Sequence, residues 1–469
     1  MSPRLQCHAV SRAFLIASAL ALLLALAPAA SAAPFQAAVT LSAPGLDARA
    51  PSVAVNASGE ALAVWLSGAG DERRVQAASR RAGGLFGAAS NLSAAGKHVG
   101  PPAVALDVHG AAVVLWRRQV GSSLRLEAAV RPPGGELGAP QLVAPSVLDQ
   151  DNEWGAPQVA FNPAGDAVAV FTRAGAVGES IDWHAQAAVL PAGATVFGRP
   201  FELAPAERWS ANPRIAFAAS GTATLAWRAA ASGEYWRIQA ATWPADGSVG
   251  APQTLSDPSH HSELQKLAVD AAGDAVIAWR GVRGIDDLLQ ASVRPAGGAF
   301  AAARTLSRPV GVGSSTRHRA GSPRTDVGVA GGALVVWRES DGEKRRVHVS
   351  AGAAGGALGA PTILSAPGRH AGAPRVGIDA AGNAVAIWKR RSDAERKYRL
   401  LSAIRPAGGA FGPTVDLSAG GRNAVAPELA VGAAGDAIAI WRRYDGTHWR
   451  VQAAWAQIAQ QPVAANVAE

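Results

Sequence analysis

The sequence predicts an all-β fold, an eight-bladed β-propeller of four-stranded blades, closed by the N-terminal strand pairing into the last blade. Three observations predict it. A block of about 50 residues recurs eight times along the 469-residue chain, a period that marks propellers built of short strands. The core of the block has the consensus Ala-(Val/Ile/Leu)-Ala-(Val/Ile)-Trp, and in every copy this apolar run is closed by an aromatic. The segment Phe35 to Ser42 matches Phe86 to Ser93, so the repeat begins with what is elsewhere its last strand.

Within each block a Gly stands six residues before the closing aromatic: Gly59, Gly110, Gly165, Gly221, Gly273, Gly331, Gly382 and Gly435. The aromatics are Trp65, Trp116, Phe171, Trp227, Trp279, Trp337, Trp388 and Trp441. The Gly belongs to a hairpin turn such as Asn56-Ala57-Ser58-Gly59 or Asp270-Ala271-Ala272-Gly273. There the Asx side chain bonds forward to the turn backbone, and Gly takes the positive-φ position that a type I turn with a bulge demands. Ala218, Gly328 and Gly432 replace the Asx in three blocks, so the turn reading needs no calcium. A Pro precedes the first strand at Pro51, Pro102, Pro157, Pro213, Pro323, Pro374 and Pro427, with Gln265 in the fifth block. Pro is tolerated at the first residue of a strand, where it sacrifices no interior ladder bond.

The second block shows the four strand segments: Ala103 to Leu106, Ala112 to Trp116, Arg125 to Val130 and Pro140 to Val143. The first two are apolar on both faces, as strands covered on both sides are. In Ala437-Ile438-Ala439-Ile440-Trp441 one face is branched and the other carries Ala and Trp. The branched face of one blade is expected to pack on the Ala face of the next, with Trp near the wider rim. The last block runs through Arg450-Val451-Gln452-Ala453-Ala454 and then lacks a fourth strand. The N-terminal segment is expected to supply it and so remove the open sheet edges.

Residues 1–32 read as a signal peptide. Arg4 and Arg12 form a basic start, Ala13 to Ala27 an apolar run, and Ala30-Ser31-Ala32 a small-residue cleavage site. Residues 33–457 are the propeller and 458–469 a polar tail. The expected location is secreted or periplasmic, with no membrane span in the mature chain. The single cysteine, Cys7, lies in the leader, which excludes a disulfide or a thiolate site afterwards. The formal charge is +9, and only five of the 44 basic residues are Lys. They are scattered over all the repeats without a run, which argues against a nucleic-acid partner.

The repeat is similar to those of uncharacterised secreted bacterial propeller proteins with Asp-x-x-Gly-(Asn/Asp)-Ala…Trp blocks, over nearly the whole mature chain. Its period is close to that of kelch repeats, without their Gly-Gly doublet. Asp445-Gly446-Thr447-His448-Trp449 distantly resembles the Asp-box of sialidase propellers. The Arg cluster and Tyr/Glu pair of those enzymes have no counterpart, so the resemblance implies the fold and no catalysis.

Function is expected where the repeats differ. The start of the third strand carries Arg73, Leu124, Trp183, Trp236, Asp287, Arg345, Tyr398 and Trp449. The aromatics fall in adjacent blades, three with four and seven with eight, and each is followed by a basic residue: His184, Arg237, Arg399 and Arg450. Aromatic platforms beside guanidinium donors suit carbohydrate. The plainer role is packing over their own hairpins. The loop Asp149 to Trp154 is acidic, Arg317-His318-Arg319 is basic, and His260-His261 is a pair whose side chains point to opposite faces of an extended chain. No catalytic residue, metal site or cofactor is assigned, since there is no Gly-x-Ser-x-Gly or His-Glu-x-x-His and no phosphate loop. The chain reads as a binding module for carbohydrate or an extracytoplasmic protein. A glycan-acting hydrolase or lyase with a site in the central pocket, and an envelope scaffold without small ligand, are the alternatives.

Overall fold

The fold is seen in a computed structural model that describes residues 35–458, apart from 97, 148–155, 178–179, 208, 232–233, 284–285, 308–320, 328–330, 341–343, 354, 393 and 395. The leader and the loops 149–154 and 317–319 therefore lie outside the described residues. Eight separate four-stranded antiparallel sheets account for nearly all regular structure, and one 3-10 turn, Gly70–Glu72, is the only helical element among the described residues. Seven sheets run in chain order from inner to outer strand. The fourth blade, for example, comprises Trp209–Phe217, Ala223–Ala230, Arg237–Trp243 and Gln253–Thr254.

The eighth sheet has the order predicted from the repeat. Its inner three strands are Ala424–Val431, Asp436–Tyr444 and Trp449–Gln457, and its outer strand is Val39–Thr40. Val39 pairs with Ala453 and Thr40 with Gln452. The Leu41 N–H donates to Val451 O at 2.8 Å, and the Val451 N–H donates to Ser42 Oγ at 3.0 Å. The same Leu-Ser device holds other outer strands: Ser93 Oγ accepts from Val75 N, Ser256 Oγ from Ile238 N and Ser418 Oγ from Leu400 N, each at 2.9 Å. The inner strand of each blade touches that of the next, and the inner strand of the first blade, Ala48–Val55, touches that of the eighth.

Inter-blade packing follows the sequence pattern. Ile438 and Ile440 of the eighth blade cluster with Ala61, Ala63 and Trp65 of the first. Val113 and Leu115 of the second pack on Ala167, Ala169 and Phe171 of the third. The seven closing Trp residues are fully enclosed. They sit on second strands, two strands in from the rim, rather than near the rim as expected, because the indole needs the whole inter-sheet gap. Trp65, Trp227 and Trp279 each donate Nε1–H to a Gln of the adjoining third strand, at 3.0, 2.9 and 3.1 Å.

All eight turn glycines have positive φ, between +72° and +99°, the conformation the turn chemistry requires. The prolines depart from expectation. Pro102 and Pro157 do directly precede their strands. Pro51, Pro213, Pro374 and Pro427 instead lie inside inner strands, at β-bulges where the ladder shifts register. The preceding residues Ala50, Asn212, Ala373 and Ala426 are left-handed, with φ of 46°, 55°, 50° and 51°. A bulge leaves one residue out of the ladder, so a Pro there costs no bond.

Candidate functional site

The ring has two ends, and their polar residues behave differently. One end is formed by the turns between inner and second strands. Its central cavity of about 420 Å³ is lined by Leu106, Phe161, Phe217 and Val269 together with turn residues such as Asn56, Asp107 and Asp270. The Asx groups here serve their own turns. Asn56 Oδ1 accepts from Ser58 N and Glu60 N at 3.1 and 3.0 Å, and Asp107 Oδ1 from His109 N and Ala111 N at 2.9 and 2.6 Å. Around them runs a belt of arginines from the ends of third strands. Arg80, Arg131 and Arg294 donate to the carbonyls of Gly59, Gly110 and Gly273 at 2.9, 3.0 and 3.1 Å. Arg131 also reaches Glu60 of the preceding blade at 2.7 Å. These bonds brace each blade's own turn, while Arg131 through Glu60 and Arg294 through Thr224 and Thr242 also tie blade to blade.

The opposite end carries the second-to-third hairpins and the candidate residues. Trp183 and Trp236, from the third and fourth blades, stack with ring centroids 5.6 Å apart and planes 17° from parallel. Arg228 lies over both, 4.4 Å from the Trp236 centroid and 5.7 Å from that of Trp183. Burial lowers the Arg228 pKa to about 10, opposed by the charge of Glu263 on the fifth blade. Burial in turn raises the Glu263 carboxyl, opposed first by Arg280 and then by Arg228. Arg280 is ion-paired with Glu263 and lies 3.8 Å from Asp287. At the margin, Trp209 Nε1–H donates to Asp182 at 3.1 Å. Tyr235, 48% exposed, meets His261 edge-on at 4.8 Å, and His261 Nδ1 accepts the Trp236 N–H at 3.2 Å. His260 faces Asp257 and Ser259 instead, so the two histidines diverge.

The second expected pair does not meet. Trp449 has Tyr444 of its own blade at 5.5 Å and Arg442 above it at 4.6 Å, while Tyr398 has Lys389 at 4.9 Å. The basic residues that follow the aromatics do not join them either, because successive residues of a strand face opposite ways. His184 lies 3.5 Å from Glu202, Arg237 2.9 Å from Glu234 and Arg399 3.3 Å from Asp416. Arg450 donates to the Ser42 carbonyl and lies 3.4 Å from Asp445. The cations over the rings come from the position after the closing aromatic, which reads Leu66, Arg117, Thr172, Arg228, Arg280, Arg338, Lys389 and Arg442 around the ring. Six of these eight are basic, a repeated signal that the sequence reading passed over.

No family model and no curated protein matches the chain. Among solved structures, an ulvan lyase of a polysaccharide lyase family is 10% identical with a TM-score of 0.46, over 73% of this chain and 89% of that one. A protein of unknown function from Dyadobacter fermentans is 10% identical with a TM-score of 0.44, over 91% and 99%. The β-propeller domain of the Trilobed protease from Pyrococcus furiosus is 8% identical with a TM-score of 0.43, over 81% and 97%. Likenesses this slight carry no argument about function.

Proposed function

We propose that the protein is an exported binding module that takes carbohydrate on the hairpin face of blades three to five. The observation that supports it is the Trp183–Trp236 stack with the desolvated Arg228 against it. At the same repeat position in blade eight, Trp449 meets Tyr444 of its own blade. Here two blades combine their rings, beside the exposed ring of Tyr235 and the Trp209–Asp182 pair. Aromatic surface with a few fixed polar groups is what sugar rings require, since their C–H faces stack while hydroxyls bond at the edge. Arg228 is held in place before any ligand arrives, which lowers the ordering cost of binding. The glycan hydrolase or lyase reading calls for two carboxylates facing one cleft. The two that line the central cavity among the described residues, Asp107 and Asp270, each have an oxygen bound to turn N–H groups.

A glycan array followed by calorimetry on the best binder tests the reading. Trp236→Ala is expected to weaken binding at least tenfold, about 1.4 kcal/mol, as truncation of a central aromatic anchor does. Tyr235→Ala should weaken it less. A parent protein that binds no glycan, or a Trp236→Ala variant that binds as the parent does, would defeat the proposal.

A further inference from the structure

On the hairpin face, four blade junctions share one latch. The N–H at the start of a third strand donates to a side chain at the head of the next blade's inner strand. Trp449 N donates to Asp47 Oδ1 and Tyr398 N to Asn423 Oδ1, both at 2.9 Å. Trp236 N donates to His261 Nδ1 at 3.2 Å, and Arg345 N to His370 Nδ1 at 3.3 Å. The acceptors hold one repeat position, four residues before Pro51, Pro427, Gln265 and Pro374 in turn. Two latches are thus Asx and two are imidazole. A backbone N–H can only donate, so the ring nitrogen facing it is the unprotonated one. A proton taken up there turns the acceptor into a donor and breaks the bond. Imidazole is the side chain suited to change charge between about pH 5 and 8. The Asn423 amide has no such proton to gain, and the Asp47 carboxyl is lowered, first by the Trp449 N–H itself. His261 is exposed and His370 half-buried, so solvent protons reach both.

We infer that His261 and His370 are acid-released latches, and that His261 couples the pose of Trp236, and with it ligand binding on blades three to five, to pH. The Trp236 backbone is fixed from two sides, by His261 Nδ1 on its N–H and by the Ser262 N–H on its carbonyl at 2.8 Å. Losing the first frees the residue whose ring stacks on Trp183. Around His261 stand the Tyr235 ring, Glu234 with Arg237 on the same hairpin, Asp257 with His260 on its own loop, and Arg283 beside its ladder partner Val282. Glu234 and Asp257 each already face a cation, Arg237 for the first and His260 and Arg283 for the second. Around His370 the charges are cationic: Arg345 and Arg369, with Arg390 and Arg391 across the ladder, where Arg391 N donates to His370 O at 2.9 Å. The effect on ligand binding rests on the carbohydrate reading, whereas the latches themselves do not.

Amide hydrogen exchange tests the latches with no sugar present. From about pH 8 to about pH 5.5, the protection factors of the Trp236 and Arg345 amides should fall roughly fivefold, the weight of one hydrogen bond. Those of Trp449 and Tyr398, held by Asx, should stay level. His261→Asn copies the Asn423 latch and should abolish the fall at Trp236 alone. His370→Asn should abolish it at Arg345 alone. With the best glycan binder, the affinity of the parent and of His370→Asn should be roughly fivefold weaker at the lower pH, and that of His261→Asn should not depend on pH. Level protection of Trp236 and Arg345, an equal fall at all four amides, or a pH response that survives in His261→Asn would overturn the inference. A parent that binds no glycan at either pH defeats the carbohydrate reading and the claim on binding with it, while the exchange data still decide the latches.

Discussion

The fourth and eighth blades place the same residue types at the same repeat positions and obtain different things from them. Arg228 lies 4.4 Å from the ring of Trp236, and Arg442 lies 4.6 Å from that of Trp449. Around Arg228 the preceding blade adds Trp183 and the following blade adds Glu263, whose carboxyl burial pushes up. Around Arg442 the added ring is Tyr444, from the same blade, and the following blade is the first one. Its Asp47 accepts the Trp449 N–H at 2.9 Å, and that bond, ahead of Arg49, pulls the Asp47 carboxyl down. One corner stores desolvated charge and aromatic surface, while the other uses its acid to fasten the two ends of the chain. A repeat position thus fixes where a side chain lies, and the neighbouring blade decides what it does.

The largest expected effect tests the fastening. A Cβ at Gly59 would lie 2.6 Å from Asp436 Oδ2, at a φ of +83°, whereas one at Gly221 would meet only the Ala245 Cβ at 3.1 Å with the same φ. Asp436 is the acid that favours the charge of the buried Arg80. Urea unfolding should therefore show Gly59→Ala destabilised by roughly 2–3 kcal/mol and Gly221→Ala by roughly 1–2 kcal/mol, the ordinary cost of a left-handed non-glycine residue. Equal losses would remove the special standing of the junction.

A smaller effect compares outer strands. Ser42→Ala and Ser256→Ala each remove one buried hydrogen bond to a third-strand N–H, at 3.0 and 2.9 Å. Both should cost about 1 kcal/mol in the same unfolding assay. A Ser42 variant that loses nothing would mean that the N-terminal strand is not an equivalent fourth strand.

The smallest effect is the pH response, and its sign differs between the corners. Asp445 is lowered to about 2, chiefly by the N–H groups of His448 and Thr447, and Asp47 is lowered as well. A depressed carboxyl contributes stability above its unfolded pKa and loses it as pH falls through the folded value. The eighth-blade hairpin should therefore weaken as pH drops from ordinary carboxylate values toward about 2. Glu263 is raised, so its ionisation opposes folding, and its contribution is fully favourable only below the unfolded pKa and declines as pH rises through the folded one. Carboxyl NMR titration of Asp445 and Glu263 should give midpoints displaced in opposite directions, and displacements of one sign would contradict the contrast.

The architecture was legible because it rests on local chemistry. Turn glycines, alternating Ala and branched residues, and the match of Leu41-Ser42 to Leu92-Ser93 are each recognisable within a few residues, even where, as with Leu41 and Ser42 on Val451, they act across the whole chain. The inner-strand bulges were hidden, since Pro51 reads equally well before a strand and within a bulge. The candidate site was half legible. Trp183 and Trp236 were found from their places in the repeat, and their contact was implied by adjacency. Arg228 and Glu263 were missed because each is an ordinary residue of its own blade, and only radial packing puts them together. The same packing explains why Tyr398 and Trp449, equally adjacent in the repeat, find Lys389 and Tyr444 instead of each other.

The most direct test of the contrast is the glycan affinity of Trp236→Ala and Trp449→Ala measured side by side with the parent by calorimetry. The account predicts that Trp236→Ala loses at least tenfold, about 1.4 kcal/mol, and that Trp449→Ala binds like the parent while unfolding more easily. Equal losses in both variants, or a loss confined to Trp449→Ala, would contradict it.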